Sequence, residues 1–346
     1  MASEGEFILG AAQAAPVYFD REASTDKACE LIREAGKMNV DLLAFGETWL
    51  PGYPFFHPIT SHLPEGRVRY LENAVEIPSP TTERLCDAAH EAETDVVIGV
   101  AELDPYTRGT TYCTLLFIGR EGKILGRHRK LKPSFAERRV WGEGDGVGLV
   151  VYDRPYAKIS GLNCWEHRML LPAYTLMALG TQVHVAAWPF ARSAGPKQLM
   201  SRAFAAQGAC YAIETCALLR PEDVTEEFQE TLKARYEIPR IGDVNIEGCA
   251  KIIDPTGGVV AEAPIGEEAI VTASASLDKV RNAKGYLDVG GHYSRPDVFR
   301  LLVNRRPLHR VEDMNSPGSA LPLGNEGWTP VHDENRVEGT KDPGAL

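Results

Sequence analysis

An α/β fold is the class this sequence predicts, and three stretches predict it. Phe7 to Ala15 reads as a buried strand, Arg21 to Met38 as an amphipathic helix and Asp41 to Phe45 as a short apolar strand, the order of a βαβ unit. A further strand, helix and strand follow in Ala157 to Leu162, Met169 to Leu179 and Gln182 to Trp188. Near the end, Ala250 to Asp254, Gly258 to Ala263 and Ala269 to Ala275 look like three antiparallel strands closing a sheet.

Taken in order, the first helix carries Ala28, Leu31, Ile32 and Ala35 on one face, the spacing of a core-facing stripe. The strand after it ends in Gly46-Glu47, which puts Glu47 at a strand's carboxyl end, where open α/β sheets hold their sites, although a loop glutamate is ordinarily solvated. Thr48 to Pro64 is a loop rich in proline, glycine and aromatics, with Tyr53, Phe55 and Phe56 among them. It carries too much apolar surface to lie idle in water and is expected to be pocket wall or subunit contact. Helices are expected around Glu65 to Ala74 and Thr81 to Glu93, then a strand over Asp95 to Leu103. Tyr112 to Ile118 and Lys123 to Arg127 read as a hairpin about Gly119-Arg120-Glu121-Gly122. His128 to Gly146 is charge-rich loop, a composition that usually means solvated surface. Val147 to Tyr152 reads as strand, Lys197 to Ala209 as helix, Tyr211 to Leu218 as strand and Pro221 to Tyr236 as a charged, exposed helix. Regular structure fades from Ala283, with Gly290 to Asp297 as a turn and Phe299 to Val303 as a last apolar segment.

Composition narrows the partners. A chain of 346 residues with 44% hydrophobic and 25% charged residues can bury a sizeable core. Its net charge of −11 argues against nucleic acid or an anionic membrane as the main partner, and the basic run Arg127-His128-Arg129-Lys130 is too short to reverse that. Seven scattered cysteines without a CxxC pair fit neither a disulfide framework nor a zinc site, and a reducing cytoplasm suits them. The acidic N-terminus and the lack of a long apolar run give no sign of export.

The chemistry gathers at three separate strand ends. Lys158 to Asn163 runs into Cys164, and a helical segment follows at once, a position where backbone N–H groups and the helix dipole favour a thiolate. Most free cysteines are simply small core hydrophobes, so this one gains its meaning from Glu47 and Lys130. An acid, an amine and a thiol together suit attack on an electrophilic carbon bonded to nitrogen. The carboxylate takes the thiol proton, and the ammonium holds the thiolate and the charge that develops on the attacked group.

Gly46-Glu47, Arg129-Lys130-Leu131 with Glu137-Arg138 and Trp141-Gly142, and Asn163-Cys164-Trp165-Glu166 resemble the three signature blocks of the nitrilase superfamily of carbon–nitrogen hydrolases. The Cys-Trp-Glu form, with Ala186-Ala187-Trp188-Pro189 and Gly291-His292-Tyr293-Ser294-Arg295-Pro296, resembles the nitrilase branch. The resemblance implies a four-layer αββα sandwich over residues 1–304, with 305–346 as an extended or assembly-related tail. It implies a catalytic triad of Glu47, Lys130 and Cys164, with Glu137 as a second glutamate positioning substrate or proton donor. It also implies no metal or organic cofactor, and homodimers that build spirals or helical filaments. The activity it implies is hydrolysis of an organic nitrile to acid and ammonia through a thioimidate and an acyl-thioester. A cyanide hydratase or an amidase could use the same triad, and a catalytically silent filament protein is the alternative outside enzymes.

Four further residues are candidates for the substrate pocket: Tyr53, Trp165, Glu166 and Trp188. The aromatic loop after Glu47, which carries Tyr53, Phe55 and Phe56, and Trp188 favour aryl or arylaliphatic nitriles over short aliphatic ones. Holding the turn at the cysteine by hydrogen bonds is an equal reading for Glu166 and the favoured one for His167, and His292, Tyr293, Arg295 and Asp297 read as structural turn or assembly contact.

Overall fold

Strand β1 (Glu6–Gln13) is apolar on both faces because it lies inside a sheet, between β2 (Leu42–Ala44), parallel to it, and β12 (Ala269–Ser276), antiparallel. The structure, a computed structural model, describes residues 5–54, 64–189, 196–223, 248–308 and 311, and the chain divides into Met1–Pro307 and Leu308–Leu346. Both sheets belong to the unit Met1–Pro307. The first continues through β3 (Asp95–Leu103), parallel to β2, then β4 (Thr111–Gly119) and β5 (Lys123–Arg129), each antiparallel to the last. The second sheet runs β6 (Tyr152–Asp153), β7 (Lys158–Asn163), β8 (Val183–Ala187), β9 (Tyr211–Thr215), β10 (Lys251–Ile253) and β11 (Val259–Glu262).

Both six-stranded sheets have the same sequence of senses: antiparallel, parallel, parallel, antiparallel, antiparallel. The three late strands therefore do not close one sheet together. β10 and β11 finish the second, while β12 crosses back to the edge of the first. Phe7, Leu9, Leu42, Leu115, Val183 and Ile213 belong to one core between the sheets.

Helices cover both outer faces. Helix α1 (Arg21–Lys37) starts at Asp20, whose carboxylate accepts from the Ala23 N–H at 3.0 Å, and buries Ala28, Ile32 and Ala35. After α2 (Pro64–Glu72), α3 (Pro80–Glu91) starts with Ser79 as cap and proline in its first turn, and packs Leu85 and Ala88 beside α1 against the first sheet. On the other side α4 (Leu170–Ala178) and α5 (Pro196–Gly208) place Leu176 and Phe204 against Leu162 of β7. Helix on sheet on sheet on helix is the four-layer αββα arrangement.

Several boundaries differ from the sequence expectation. Val147 to Tyr152 is no strand: a 3-10 turn at Gly146–Gly148, capped by Asp145, leaves only Tyr152–Asp153 paired. Helix α6 (Leu277–Tyr286), unassigned in the sequence reading up to Ala283, where structure was expected to fade, is capped by the Ser276 hydroxyl accepting from the Asp278 N–H. Phe299 and Leu302 are exposed and outside any strand. The expected helix Pro221 to Tyr236 lies outside the described residues beyond its first three, a 3-10 turn, as do Phe55, Phe56 and the tail from Asn315. Among the described residues no helix is long and apolar enough to cross a membrane.

Candidate active site

Glu47 is not solvated. It sits in the turn after β2 with 0% exposure, and its N–H donates to the Trp188 carbonyl at 3.1 Å, tying the end of one sheet to the end of the other. Gly99 of β3 permits this, because a Cβ there would collide with the Gly46 carbonyl oxygen and the Thr48 nitrogen. Bare backbone beneath the turn lets it cross the sheet.

Lys130 follows β5 and is fixed from both sides. Its N–H donates to the Cys113 carbonyl at 2.7 Å, and its own carbonyl accepts from the Gly144 N–H at 2.8 Å. The preceding Arg129 is clamped by the buried Glu102 carboxylate at 2.5 and 3.0 Å and lies over the Tyr112 ring. Within the stretch from His128 to Gly146, Lys130 and Glu137 thus turn inward, while Lys132, Arg138, Arg139 and Glu143 stay exposed as its composition suggests.

Cys164 follows β7 and opens a 3-10 turn, Cys164–Arg168, in a left-handed conformation, φ +48°, that non-glycine residues rarely adopt, so surrounding bonds must hold it there. Glu166 supplies some of them. Its Oε2 accepts from the Asn163 N–H at 2.9 Å, its Oε1 from the Leu131 N–H at 2.8 Å, and both oxygens face His128 Nε2 at 3.0 and 3.1 Å. Burial opposes ionisation of this carboxyl, but His128 and the two N–H donors outweigh it and hold it below its ordinary range. Glu166 therefore welds the cysteine turn to the lysine turn.

A second device hangs from the Cys164 carbonyl. His167 Nδ1 lies 2.7 Å from that oxygen, which can only accept, so Nδ1 carries the proton. His167 Nε2 then accepts from His184 Nε2 at 3.0 Å, and His184 Nδ1 accepts from the Ser160 hydroxyl at 2.9 Å. Burial, opposed by the Cys164 carbonyl and Glu166, lowers the His167 pKa to about 4, and burial pushes His184 well below its usual value. Both rings are neutral at pH 7. A histidine that titrates lower when folded stabilises fully above its unfolded pKa of 6.5 and loses that contribution as pH falls toward about 4. We expect His167 to account for about 3 kcal/mol of acid destabilisation over that window. Urea unfolding at several pH values checks this, with His167→Gln showing a shallower loss than the wild type.

The three strand ends meet. Lys130 Nζ lies 2.5 Å from Glu47 Oε1 and 2.8 Å from Glu137 Oε2, and Glu47, Glu137 and Cys164 present ligand-type atoms within 4.8 Å of one another. Glu47 Oε1 also accepts from the Cys113 thiol at 3.1 Å, whereas Oε2, fully buried, has no hydrogen-bond partner among the described residues. Burial, opposed by Lys130 and assisted by Glu137, raises the Glu47 pKa to about 7. Burial disfavours the Lys130 ammonium, but the surrounding anions and thiols more than reverse this and hold it well above the usual lysine value. The result is a fixed cation beside a carboxyl able to exchange a proton near neutrality. Glu47, Glu137 and Cys164 offer donors a metal could use, yet the ammonium already occupies the position between the two carboxylates.

The other candidates divide. Tyr53 donates to Glu137 Oε1 at 2.6 Å, and its ring meets Trp141 edge to face. Glu137 also accepts from the Ser134 N–H at 2.6 Å, inside a 3-10 turn at Phe135–Arg139. Trp165 and Trp188 touch edge to face in the apolar cluster that includes Cys164, but Trp188 is fully buried, stacks on His167 and donates to Ser201. Glu166, for which pocket and turn-holding roles were equal expectations, has both oxygens engaged by protein donors, the geometry of a residue that holds the turn. Sequence reading missed Cys113, His128, His184 and the Tyr70–Trp141 pair beside Lys130. Cys113 keeps the period of Leu115 and Phe117, which face the core between the sheets, whereas His184 alternates with Val183 and Val185 and stacks on Phe204.

Comparison with known proteins agrees with this geometry. A family model described as carbon–nitrogen hydrolase matches residues 8–285. A protein called Nitrilase 2, from an unknown prokaryotic organism, is 52% identical over 318 residues, covering 90% of this chain and 96% of the relative. An aliphatic nitrilase of Rhodococcus rhodochrous is 38% identical over 314 residues, covering 87% and 83%. The crystal structure of Saccharomyces cerevisiae Nit3, a member of branch 10 of the nitrilase superfamily, superposes with a TM-score of 0.66 at 20% identity, covering 85% of this chain and 99% of that one. The chain belongs to the carbon–nitrogen hydrolase family, within the nitrilase superfamily, and is an enzyme of that class.

Proposed function

We propose that the enzyme is a nitrilase: it converts an organic nitrile and two waters into a carboxylic acid and ammonia, with Cys164 as nucleophile. The observation that carries this is the buried contact set of Glu47, Lys130, Glu137 and Cys164 at one end of the two sheets. In this reading Glu47 Oε2 accepts the thiol proton while the sulfur adds to the nitrile carbon. Charge arriving on nitrogen is met by the Lys130 ammonium and the N–H of Trp165. Glu47 passes the thiol proton to the thioimidate nitrogen, then deprotonates a water that adds to the carbon and hands that proton to the nitrogen, so that ammonia leaves. A second water, activated in the same way, releases the acid from the thioester, and its proton returns to the Cys164 sulfur. Glu137, held by Lys130, Tyr53 and the Ser134 N–H, orients substrate or proton donor. Expulsion of sulfur from the tetrahedral adduct in place of ammonia gives an amide by-product.

The finer parts of the reading are an aryl or arylaliphatic preference and a homo-oligomeric state. The aromatic side chains of Tyr53, Trp141 and Trp165 around the cluster support the first, and the exposed apolar residues Tyr286, Phe299 and Leu302 are surface that assembly could cover. A panel of benzonitrile, phenylacetonitrile, butyronitrile, the matching amides and cyanide, assayed for ammonia and amide, tests the function. Nitriles are expected to react fastest, with aromatic ones leading. Faster turnover of amides or of cyanide would replace the reading with an amidase or a cyanide hydratase. Because Glu47 must be ionised to act as base, kcat/KM should fall as pH drops below about 7, and a flat profile from pH 5 to 9 would contradict that role.

A further inference from the structure

One buried thiol beside the cluster takes no part in the chemistry proposed above. Cys113 lies within β4, the fifth strand of the first sheet, with 0% exposure, directly opposite Ala101 of β3. Two of its polar groups point at catalytic partners. Its carbonyl accepts the Lys130 N–H at 2.7 Å, and its Sγ lies 3.1 Å from Glu47 Oε1.

We propose that Cys113 is a positioning residue for the general base: its thiol donates to Glu47 Oε1 and, with Lys130 on the same oxygen, reserves Oε2 for the reacting groups. The unequal use of the two carboxylate oxygens is the key observation. Oε1 receives Lys130 Nζ at 2.5 Å and the Cys113 thiol at 3.1 Å, while Oε2, equally buried, has no protein partner among the described residues. A carboxylate held through one oxygen by two donors cannot swing, so the other oxygen stays where a proton has to be collected. Burial, reinforced by Glu47, keeps the Cys113 thiol far above its usual pKa, so it is a donor throughout the working range.

A thiol suits this place better than a stronger donor. Hydrogen bonds to the ionised form lower a carboxyl pKa, and a weak donor lowers it least, which leaves Glu47 near 7 and able both to take and to return a proton. The other titratable groups around Glu47 are Lys130 after β5, Glu137 in its 3-10 turn, Cys164 after β7, Tyr53 in the loop after β2 and Tyr70 in α2. Against that fixed background the Cys113 bond is the element that substitution can change alone.

The inference rests on Glu47 as the base, so the test carries Glu47→Gln as control. Profiles of kcat/KM and kcat against pH, with a nitrile substrate, are measured for the wild type, Cys113→Ala and Cys113→Ser. Losing the donor should move the acid limb of Cys113→Ala upward, with kcat/KM down about tenfold at pH 6, recovering at alkaline pH, and KM nearly unchanged. Cys113→Ser, which restores a donor, should return the limb to the wild-type position or below, and this arm decides the matter if the alanine variant does not fold. A wild-type limb in Cys113→Ala, or the same upward shift in Cys113→Ser, overturns the positioning role while an inactive Glu47→Gln leaves the base assignment standing. Normal turnover by Glu47→Gln removes the base assignment and this inference together.

Discussion

Cys164→Ala should stop ammonia release from every nitrile the enzyme accepts, a loss of about 10⁴-fold or more, while the protein remains folded. The size follows from what is removed. Lys130, Glu47 and Glu137 keep their contacts with one another, so the electrostatic frame survives, but no remaining group can form the covalent bond that splits the hydrolysis into two easier steps. The fold tolerates the change because Cys164 and alanine share a Cβ in the same left-handed backbone, and only a sulfur leaves an apolar cluster. Ammonia assays with thermal unfolding check both halves. Residual turnover near the wild-type rate would remove Cys164 from the chemistry.

Lys130→Met should be nearly as damaging, and for two separable reasons. Loss of the cation that receives developing negative charge is expected to lower kcat by about 10²–10³-fold. It also leaves two buried carboxylates facing each other without a counter-ion, a situation that costs about 3–5 kcal/mol. The second effect carries a sign. With Lys130 gone, burial and mutual repulsion raise the Glu47 carboxyl still further above the ordinary glutamate range, so folding then favours the protonated form. The variant should therefore be destabilised most above neutrality and recover stability toward pH 5. Urea unfolding at pH 5 and pH 8 measures this, and equal destabilisation at both would show that the carboxylates do not depend on Lys130.

Much of the site was legible because Glu47, Lys130 and Cys164 each stand just past the end of a strand, and the sheets carry those ends to one place. The inward turn of the loop from His128 to Gly146 was not legible. All its charges look alike in sequence, and Arg129, Lys130 and Glu137 are drawn in only because Glu102 meets Arg129 and Glu137 meets Lys130, while Lys132, Arg138, Arg139 and Glu143 stay exposed. Cys113 was hidden for the opposite reason, since a cysteine in an apolar strand is indistinguishable from a small hydrophobe until its partner is known. The late strands were recognised as strands but given to one sheet. Period-two patterning reports a buried face and not which neighbour lies beside it, so the passage of β12 to β1 left no local sign. The shared order of senses in the two sheets needs no repeated side chains, and none marks it. Helix α6 escaped notice because it buries only Val280.

The most direct test of the account is to catch the bond to sulfur. Enzyme mixed with benzonitrile and quenched in acid within the first turnovers should show, by intact-mass spectrometry, an added benzimidoyl or benzoyl mass, and peptide mapping should put it on Cys164. The same adduct on another residue, or steady ammonia release with an unmodified Cys164 at every quench time, would contradict it.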